Sequence, residues 1–501
     1  MFLLGYDIGS SSIKASLLDA ATGSLIASGS SPKTELPILT ERPGWAEQHP
    51  DVWWEHVCRA TAEIREQAGQ RLTDVRAVGI SYQMHGLVVV DENLEPLRPA
   101  IIWCDSRAID IGERAFAAIG PDRCLTRLLN SPGNFTASKL AWMKAHEPEV
   151  YRRIHKFMLP GDFIAAKMTG EISTTVSGLS EGILWDFAEG CVAGLLLDHY
   201  GISPDLVPPR VDTFAVQGTL TRPAAEALGL PAGIPLAYRA GDQPNNALSL
   251  NVLHPGEVAA TAGTSGVVYG VSARPVSDPR GRVNTFVHVN HVPDRPRNGV
   301  LLCVNGTGIL NSWLKRELWP DGAATYETIN TIAAAAPPGS AGLTILPFGN
   351  GAERTLANRN IGASLHGLEL NIHTRAHVAR AVQEGIVFAL NHGIGALREM
   401  GLELVTVKAG YANMFLSPLF SEAFAAITGA RVELYRTDGS QGAARGAGIG
   451  AGIYPNMQEA FVGLETVRSI EPTPALIPAY QEAYRRWVAI LETEVERSQK
   501  R

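Results

Sequence analysis

The sequence predicts an α/β fold that is built twice, with a cleft between two lobes. Strand-like and helix-like stretches alternate along the chain: residues 75–81 have the pattern of a buried strand, and residues 50–68 and 376–400 have that of amphipathic helices. Two small-polar turns also lie half a chain length apart, at residues 9–12 and 263–265, each between strand-like runs. Corresponding turns in two halves indicate an internal duplication.

The first turn carries groups that suit a metal-bound triphosphate. Its polar residues are Asp7, Gly9, Ser10, Ser11, Ser12 and Lys14. Amides of a glycine turn cradle phosphate oxygens, Asp7 can hold hydrated Mg²⁺, and Lys14 supplies a positive charge. An ordinary polar hairpin has a similar composition. The second turn, Gly263-Thr264-Ser265, repeats the small-polar chemistry, which favours one nucleotide held between the lobes.

Composition narrows the class of protein. The chain has 501 residues, of which 45% are hydrophobic and 19% charged, an ordinary globular balance. Its net charge of −7, without a basic stripe, predicts no nucleic-acid partner. The five cysteines form no Cys-x-x-Cys pair, and no apolar run has the length of a membrane span, so we expect a cytoplasmic protein without a membrane partner. We place the predicted domains at residues 1–248 and 249–501.

A candidate binding segment, Gln83-Met84-His85, follows the strand predicted at residues 75–81. Strand ends are where α/β proteins place ligand contacts. Gln83 and His85 can hydrogen-bond hydroxyl groups, and Met84 can pack on the carbon face of a sugar. A lone histidine is more often structural, so His85 taken singly also fits a packing role.

Two further segments carry polar and aromatic groups. Trp103 offers a flat apolar face to a sugar, whereas Asp105 and Arg107 can bind hydroxyls or pair with each other. Asp242 lies in the glycine- and amide-rich stretch 239–246, which has the composition of a hinge or Asx-type turn. An aspartate can also orient and deprotonate a phosphoryl-acceptor hydroxyl.

Other patterns are excluded or given a structural reading. No Gly-x-x-x-x-Gly-Lys-Ser/Thr sequence occurs, which excludes a P-loop enzyme. Gly442, Gly446 and Gly450 recur every fourth residue without a leading strand, and this predicts a glycine-lined helix face in close backbone contact with a neighbour. His288 and His291 lack a third ligand, so packing is favoured over zinc.

Taken in order, these segments resemble the FGGY carbohydrate kinases from residue 2 to about residue 455. The resemblance is carried by Asp7 to Lys14, Gly44-Trp45-Ala46-Glu47-Gln48-His49-Pro50, Gln83-Met84-His85-Gly86, Trp103-Cys104-Asp105-Ser106-Arg107, Phe135 to Trp142, Gly241-Asp242, Gly263-Thr264-Ser265, Gly351-Ala352-Glu353-Arg354-Thr355 and Arg380 to Gly385. It implies a duplicated actin/hexokinase-like (ribonuclease H-like) fold, with ATP and sugar in the cleft between the lobes. Dimers are also what the resemblance implies.

The resemblance implies roles for individual residues. Asp242 matches the family's proton acceptor, and Asp7, through water, and Asp242 would lie at Mg²⁺. Gln83, Met84, His85, Trp103, Asp105, Asp242 and Gln243 would form the sugar site. Gly9, Ser10, Ser11, Ser12, Lys14, Gly263, Thr264, Ser265, Gly410, Tyr411 and Asn413 would bind ATP.

The stretch Gln83 to Gly86 is similar to that of the xylulokinases within the family, which implies transfer from ATP to O5 of D-xylulose. Two departures stand out: Gln243 replaces the usual asparagine after Asp242, and Tyr411 stands where glycine is usual in the adenosine loop. Two alternatives stay open at this point. One is a kinase for another ketose, polyol or aldonate, and the other is a catalytically silent sugar-sensing protein.

Overall fold

Two β-sheets lie at the centres of two lobes in the computed structural model, which describes residues 1–320, 322 and 324–499. The first sheet contains β1 (Phe2–Ile8), β2 (Ile13–Asp19), β3 (Leu25–Ser31), β4 (Val75–Tyr82) and β5 (Leu236–Gly241). The second contains β6 (Val258–Ala262), β7 (Gly266–Ser272), β8 (Asn284–Val287), β9 (Asn298–Val304), β12 (Thr406–Gly410), β13 (Arg431–Tyr435) and β14 (Thr466–Ile470). A separate hairpin pairs β10 (Thr344–Phe348) with β11 (Gly362–His366).

The two sheets repeat one topology. The five-stranded sheet has the order β5-β4-β1-β2-β3, and the seven-stranded sheet has the order β8-β9-β7-β6-β12-β13-β14. In each, the first strand pairs antiparallel with the second strand and parallel with a later one, β1 with β4 and β6 with β12. The order β13-β12-β6-β7-β9 therefore matches β5-β4-β1-β2-β3 strand for strand, and the predicted duplicated α/β architecture is confirmed.

Helices cover both sheets. The longer and functionally important ones are α1 (Pro50–Ala68), α2 (Thr136–His146), α3 (Pro160–Thr169), α4 (Asp242–Ser249), α5 (Gly308–Leu318), α6 (Tyr326–Ala334), α7 (Arg375–Glu399), α8 (Pro418–Thr428), α9 (Gly439–Gly450) and α10 (Ile477–Gln499). Shorter helices span Ile109–Ile119, Pro121–Arg127, Pro148–Tyr151, Val176–Glu181, Gly194–Tyr200 and Arg222–Leu228. None of the helices in the described ranges is long and apolar enough to cross a membrane.

Helix α9 comes from the second half of the sequence but packs on the sheet of the first lobe. Its small residues share a buried cluster with strand residues such as Leu3, Ala77 and Ala237. A Cβ added at Gly79 would lie 2.1 Å from the Ala443 carbonyl oxygen, and one added at Gly446 would lie 2.5 Å from the Tyr238 ring. The glycines therefore permit the backbone contact that their spacing predicts.

The two sheets are joined through α4 and the segment that leads from it to β6. Asp242 is the first residue of α4, and the helix continues to Ser249. The Asx-type turn considered for Asp242 is therefore wrong: Gly241 ends a buried strand and Asp242 starts a helix, with Pro244 tolerated in its first turn. A hinge in this segment stays a prediction. Residues 500 and 501, which end the predicted second domain, lie outside the described residues.

Candidate active site

Three parallel strands of the first sheet end side by side and bring the candidate polar residues together. In the register, Asp7 of β1 lies beside Ser81 of β4, and Gly241 of β5 lies beside Tyr82. The residues that follow these strand ends are the first turn, Gln83 to His85, and Asp242. Because the carboxyl ends of parallel strands form one edge of a sheet, these predicted segments share a single cleft.

Two carboxylates dominate the electrostatics of this edge. The Ser81 hydroxyl donates to Asp7 Oδ1 at 2.8 Å, yet burial raises the pKa of Asp7. Burial, assisted by the charge of Asp7, raises the pKa of Asp242 to about 7, against hydrogen bonds from Gln243 that lower it. Within the described part of the chain, no group of three or more His, Cys, Asp or Glu side chains forms a ready metal cage.

The first turn is braced by side chains from two other segments. Gln48 Nε2 donates to the Ser10 carbonyl at 2.7 Å, and Trp103 Nε1 donates to Ser10 Oγ at 3.1 Å. The amide of Gly9 closes the turn on the Ser12 carbonyl at 3.1 Å. Trp103 keeps half of its surface exposed, so its ring borders both the turn and the open cleft.

His85 follows β4 at the same sheet edge as these carboxylates. Its Nδ1 lies 2.9 Å from the Glu181 carbonyl oxygen, which can only accept, so Nδ1 carries the proton and Nε2 is an acceptor. Burial lowers the pKa of His85 to about 3 and keeps the ring neutral. The rings of Phe135 and Phe286 lie 4.8 and 5.3 Å from it, centroid to centroid.

Lys139 holds the backbone of the two segments that carry His85 and Trp103. It is fully buried in α2 and donates to the carbonyls of His85 and Ile102 at 2.8 and 2.9 Å. The first bond holds His85 at its positive φ of 62°, and the second anchors the residue before Trp103. Burial lowers the pKa of Lys139 to about 7.

The other predicted sugar residues are placed unequally. Met84 is buried against Gly241, where a Cβ would lie 2.6 Å from Met84 Cγ. Both amide atoms of Gln83 are buried without a hydrogen-bond partner among the residues that the structure describes. Asp105 turns away from the cleft: it is fully buried, accepts from the Ala46 amide at 2.6 Å and pairs with Arg107 at 2.7 Å. Of the two open readings for this acid, the structure thus places it in the ion pair.

The second turn lines a cavity of about 980 Å³ in the second lobe. Among the predicted ATP residues, this cavity is lined by Gly263, Thr264, Tyr411 and Asn413. The carbonyl oxygens of Gly263 and Thr264 accept from Thr307 Oγ1 at 3.2 and 3.1 Å. Helices α5, α6 and α8 supply the remaining walls. Gly410 ends β12, the parallel neighbour of β6, so the two loops emerge side by side.

Helices α4 and α9 meet beside Asp7. Asn245 of α4 donates to the Gly439 carbonyl at 2.8 Å, and a Cβ at Gly439 would lie 2.6 Å from Asp7 Oδ2. The N-terminus of α9 thus faces Asp7, an arrangement that favours negative charge. In the second lobe, burial raises the pKa of the Cys303 thiol to about 11, and the charge of Glu353 raises it further.

Sequence reasoning missed Glu181. Its carboxyl group is buried, with Oε2 2.5 Å from the Cβ position of Gly241, and burial followed by the charges of Asp242 and Asp162 raises its pKa. The available signal was its isolation, since no other charged residue occurs between residues 172 and 185. The roles of Lys139 and Arg354 were also not assigned, although both lie in segments that carried the resemblance.

His288, by contrast, has the packing role that was favoured. It is fully buried, with Nδ1 3.0 Å from the Tyr269 hydroxyl and Nε2 3.1 Å from the Val252 carbonyl. Both ring nitrogens are therefore occupied by core contacts.

Comparison with known proteins decides the family. The model of the N-terminal domain of the FGGY family of carbohydrate kinases matches residues 2–249, and the C-terminal domain model matches residues 258–453. The chain belongs to the FGGY family of carbohydrate kinases. This confirms the resemblance inferred from the motifs, and with it a phosphotransferase acting on a sugar rather than a catalytically silent protein.

Individual FGGY kinases match over nearly the whole chain. A xylulose kinase of Escherichia coli K12 is 31% identical, covering 96% of this chain and 98% of its own. The L-xylulose/3-keto-L-gulonate kinase of the same organism is 29% identical, covering 97% and 96%. The crystal structure of a xylulose kinase from Rhodospirillum rubrum superposes with a TM-score of 0.88 at 28% identity, covering both chains completely.

Proposed function

We propose that this carbohydrate kinase transfers the γ-phosphoryl group of ATP to O5 of D-xylulose, with Asp242 as proton acceptor. The observation that carries the proposal is the position of Asp242. It starts α4 at the sheet edge, directly after β5, next to the end of β4 that leads to Met84 and His85 and one strand further from Asp7 and the first turn. Similarity to xylulose kinases over nearly the full length supports D-xylulose as the acceptor.

The acceptor site would be built from the first lobe. Neutral His85 can accept a hydrogen bond from a sugar hydroxyl through Nε2, because its Nδ1 is bound to the Glu181 carbonyl. The half-exposed Trp103 ring can cover an apolar sugar face. Gln83 has two unpartnered buried amide atoms among the described residues, which would gain bonds on contact with a hydroxyl.

The nucleotide would occupy the cavity of the second lobe, with its phosphates between the two turns. Tyr411 and Asn413 border the cavity at the position that fits the adenosine, and the amides around Gly263 and Gly9 would bind phosphate oxygens. Asp7 and Asp242 suit Mg²⁺, since their neighbouring charges oppose ionisation until a cation is present. When bound, Mg²⁺ would neutralise part of the triphosphate charge.

The chemistry asks little of Asp242 beyond orientation. Its carboxylate accepts the proton of the O5 hydroxyl while O5 bonds to the γ-phosphorus and the bond to the ADP oxygen breaks. In a loose transition state the proton leaves late, so position matters more than basicity. A pKa of about 7 nevertheless makes Asp242 a better proton acceptor than an ordinary aspartate.

A panel of pure acceptors in a coupled ADP-release assay tests the proposal. The panel comprises D-xylulose, L-xylulose, D-ribulose, 3-keto-L-gulonate, gluconate and glycerol, with a blank that lacks acceptor. We expect the highest kcat/KM for D-xylulose, by at least about ten-fold, because only the correct acceptor brings its hydroxyl in line with the phosphoryl group. NMR of the product should locate the phosphate on O5.

A higher kcat/KM for another member would contradict the assignment of D-xylulose but leave the role of Asp242 intact. A preference for a sugar acid would be the most informative such result, because one of the similar proteins is an L-xylulose/3-keto-L-gulonate kinase. Phosphorylation at a different oxygen would contradict the pose of the sugar relative to Asp242.

A further inference from the structure

One guanidinium of the second lobe reaches the acceptor pocket of the first. Arg354 begins the short turn Arg354–Leu356 between β10 and β11. Its Nη1 donates to Asn284 Oδ1 at 2.7 Å, and its Cζ lies 5.9 Å from the centroid of the Phe135 ring. Phe135 in turn contacts His85 edge to face. Arg354 is therefore a second-lobe cation at the aromatic wall of the first-lobe pocket.

Arg354 forms no ion pair with a carboxylate in the described structure, unlike three arginines whose side chains are buried. Arg107, Arg239 and Arg380 pair with acids at 2.7, 2.9 and 2.6 Å. The neighbouring Glu353 turns away and accepts from the Asn305 amide at 2.9 Å. Over residues 1–320, 322 and 324–499, the single hydrogen bond from the Arg354 side chain is the one to Asn284.

Arg445 is a buried arginine that also has no carboxylate partner among the described residues, and backbone carbonyl groups accept hydrogen bonds from its guanidinium instead. Its guanidinium donates to backbone carbonyls, among them those of Ala460 and Val462. Arg354 has no such set of carbonyls in the described structure, although a guanidinium has five N–H donors. Most of its donors thus remain available to a ligand.

Arg354 lies between the part of the second lobe that would hold the nucleotide and the part of the first lobe that would hold the acceptor. Glu353, the residue before Arg354, accepts from the Asn305 amide at 2.9 Å, and Asn305 directly follows Val304, which lies opposite Gly266 at the end of the second turn. In addition, Cys303 lies opposite Val267, which follows the second turn in β7. Arg354 therefore lies beside a strand end that flanks the second turn, and its contact with Phe135 places it near His85.

We propose that Arg354 contacts the transferring phosphoryl group and then the phosphate of the sugar product. This inference rests on the proposed kinase reaction and adds a catalytic residue to it. The γ-phosphoryl group carries its charge on three equatorial oxygens in the transition state, and a planar guanidinium can bind two of them. Arg354 donates hydrogen bonds only; the O5 proton still passes to Asp242.

Substitution with chemical rescue tests the proposal. We expect Arg354→Ala to lower kcat by about 10²–10³-fold, with the KM for the acceptor and the Kd for ADP changed by less than about three-fold. Added guanidinium chloride at millimolar concentration should restore at least about ten-fold of the lost rate. Arg354→Lys should be intermediate, because an ammonium group cannot form the paired contact.

Arg359→Ala is the matched control. Arg359 lies on the same loop, and its backbone bonds to the Arg354 turn: its carbonyl accepts from the Glu353 amide at 2.9 Å and its amide donates to the Leu356 carbonyl at 3.3 Å. Its side chain lines a separate, smaller cavity. We expect Arg359→Ala to retain kcat and to show no response to guanidinium.

Several outcomes would overturn the proposal. An unchanged kcat with a raised acceptor KM, or a loss confined to acceptors with a carboxylate, would mean that Arg354 reads the acceptor instead. Loss of ADP binding in both Arg354→Ala and Arg354→Lys would mean a structural role. If the wild-type enzyme ignores D-xylulose, the proposed substrate fails separately, and the same variants are measured with whichever acceptor of the panel is phosphorylated.

Discussion

The two turns of the molecule occupy the same place in the same sheet topology, yet they differ in charge. The first follows β1, which carries Asp7, and precedes Lys14 across the hairpin. The second follows β6, where Thr261 holds the position of Asp7, and Val267 lies opposite it. Both turns begin with a glycine, Gly9 and Gly263, directly after the strand.

The comparison separates the backbone features that both lobes share from the side chains that differ between them. Backbone amides at a glycine turn come with the fold, so both lobes can bind phosphate oxygens. Ionisable groups are side-chain choices, and they are concentrated beside the first turn, where Asp242 also lies. The second turn opens instead on the cavity of about 980 Å³ in which we propose that the nucleotide binds. We therefore expect the first lobe to supply the carboxylates for transfer and the second lobe to hold the donor, with Arg354 as the second-lobe residue that reaches the transferring group.

The largest test of this division is Asp242→Asn. We expect turnover to fall by about 10²–10⁴-fold, because the amide cannot accept the acceptor proton, while ADP binding is retained. Steady-state kinetics and calorimetric ADP binding measure the two effects. Near-normal turnover would remove Asp242 from the proposed role.

Exchanging the paired positions of the two turns tests their asymmetry directly. Asp7→Asn should lower kcat by about 10²-fold and raise the Mg²⁺ concentration needed for half-maximal rate, since it removes a metal-proximal charge. Thr261→Val, at the corresponding position, should keep kcat within about three-fold. Equal losses in the two variants would contradict the division between the lobes.

The pH dependence should report the first lobe alone. With the pKa of Asp242 raised to about 7, its proton-accepting form is populated above that pH. We expect kcat/KM to fall about ten-fold per pH unit below pH 7 and to level off above it. A profile that stays flat down to pH 5 would mean that Asp242 ionises normally in the free enzyme.

Stability measurements should distinguish the glycine-lined helix α9, which packs on the first lobe, from α7 of the second lobe. Gly446→Ala should lower the free energy of unfolding by about 1–3 kcal/mol, because its Cβ would lie 2.5 Å from the Tyr238 ring. Gly395→Ala in α7, where a Cβ meets nothing within 4 Å, should instead stabilise by up to about 1 kcal/mol. Denaturant unfolding compares the two, and an equal response would contradict close packing of α9.

The smallest expected effect belongs to the second lobe. Tyr411 borders the nucleotide cavity with 41% of its surface exposed. Removing its ring in Tyr411→Ala should raise the KM for ATP about three- to ten-fold through lost stacking on the base, and leave kcat and the acceptor KM unchanged. An unchanged or lower KM for ATP would show that the ring narrows the site rather than supports the base.

The local pattern of apolar residues was sufficient to predict several of the helices. The helix predicted at residues 50–68 is Pro50–Ala68, and that at 376–400 is Arg375–Glu399, because apolar spacing fixes a helical face wherever the chain ends up. The every-fourth-residue glycines likewise revealed a close backbone contact, although not that the contact lies on the opposite lobe.

Contacts between distant segments could not be read from the sequence. Asp105 was compatible with a sugar or with Arg107, and the choice depends on the fold that buries it and places Arg107 3.8 Å from the Trp45 ring. Glu181 reaches Asp242 only because the helix Val176–Glu181 packs behind β5. The cavity beside the second turn is similarly completed by three helices that share no motif, and these walls could not be predicted from the sequence.

Helix α9 has a consequence for the order in which the protein is made. A ribosome releases the strands of the first sheet long before it reaches Gly439, so one face of that sheet, including Leu3, Ala77 and Ala237, stays uncovered during most of translation. The first lobe is synthesised first, but the helix that covers its sheet is among the last segments to emerge. We therefore expect this lobe to reach its final packing only after α9 has been synthesised.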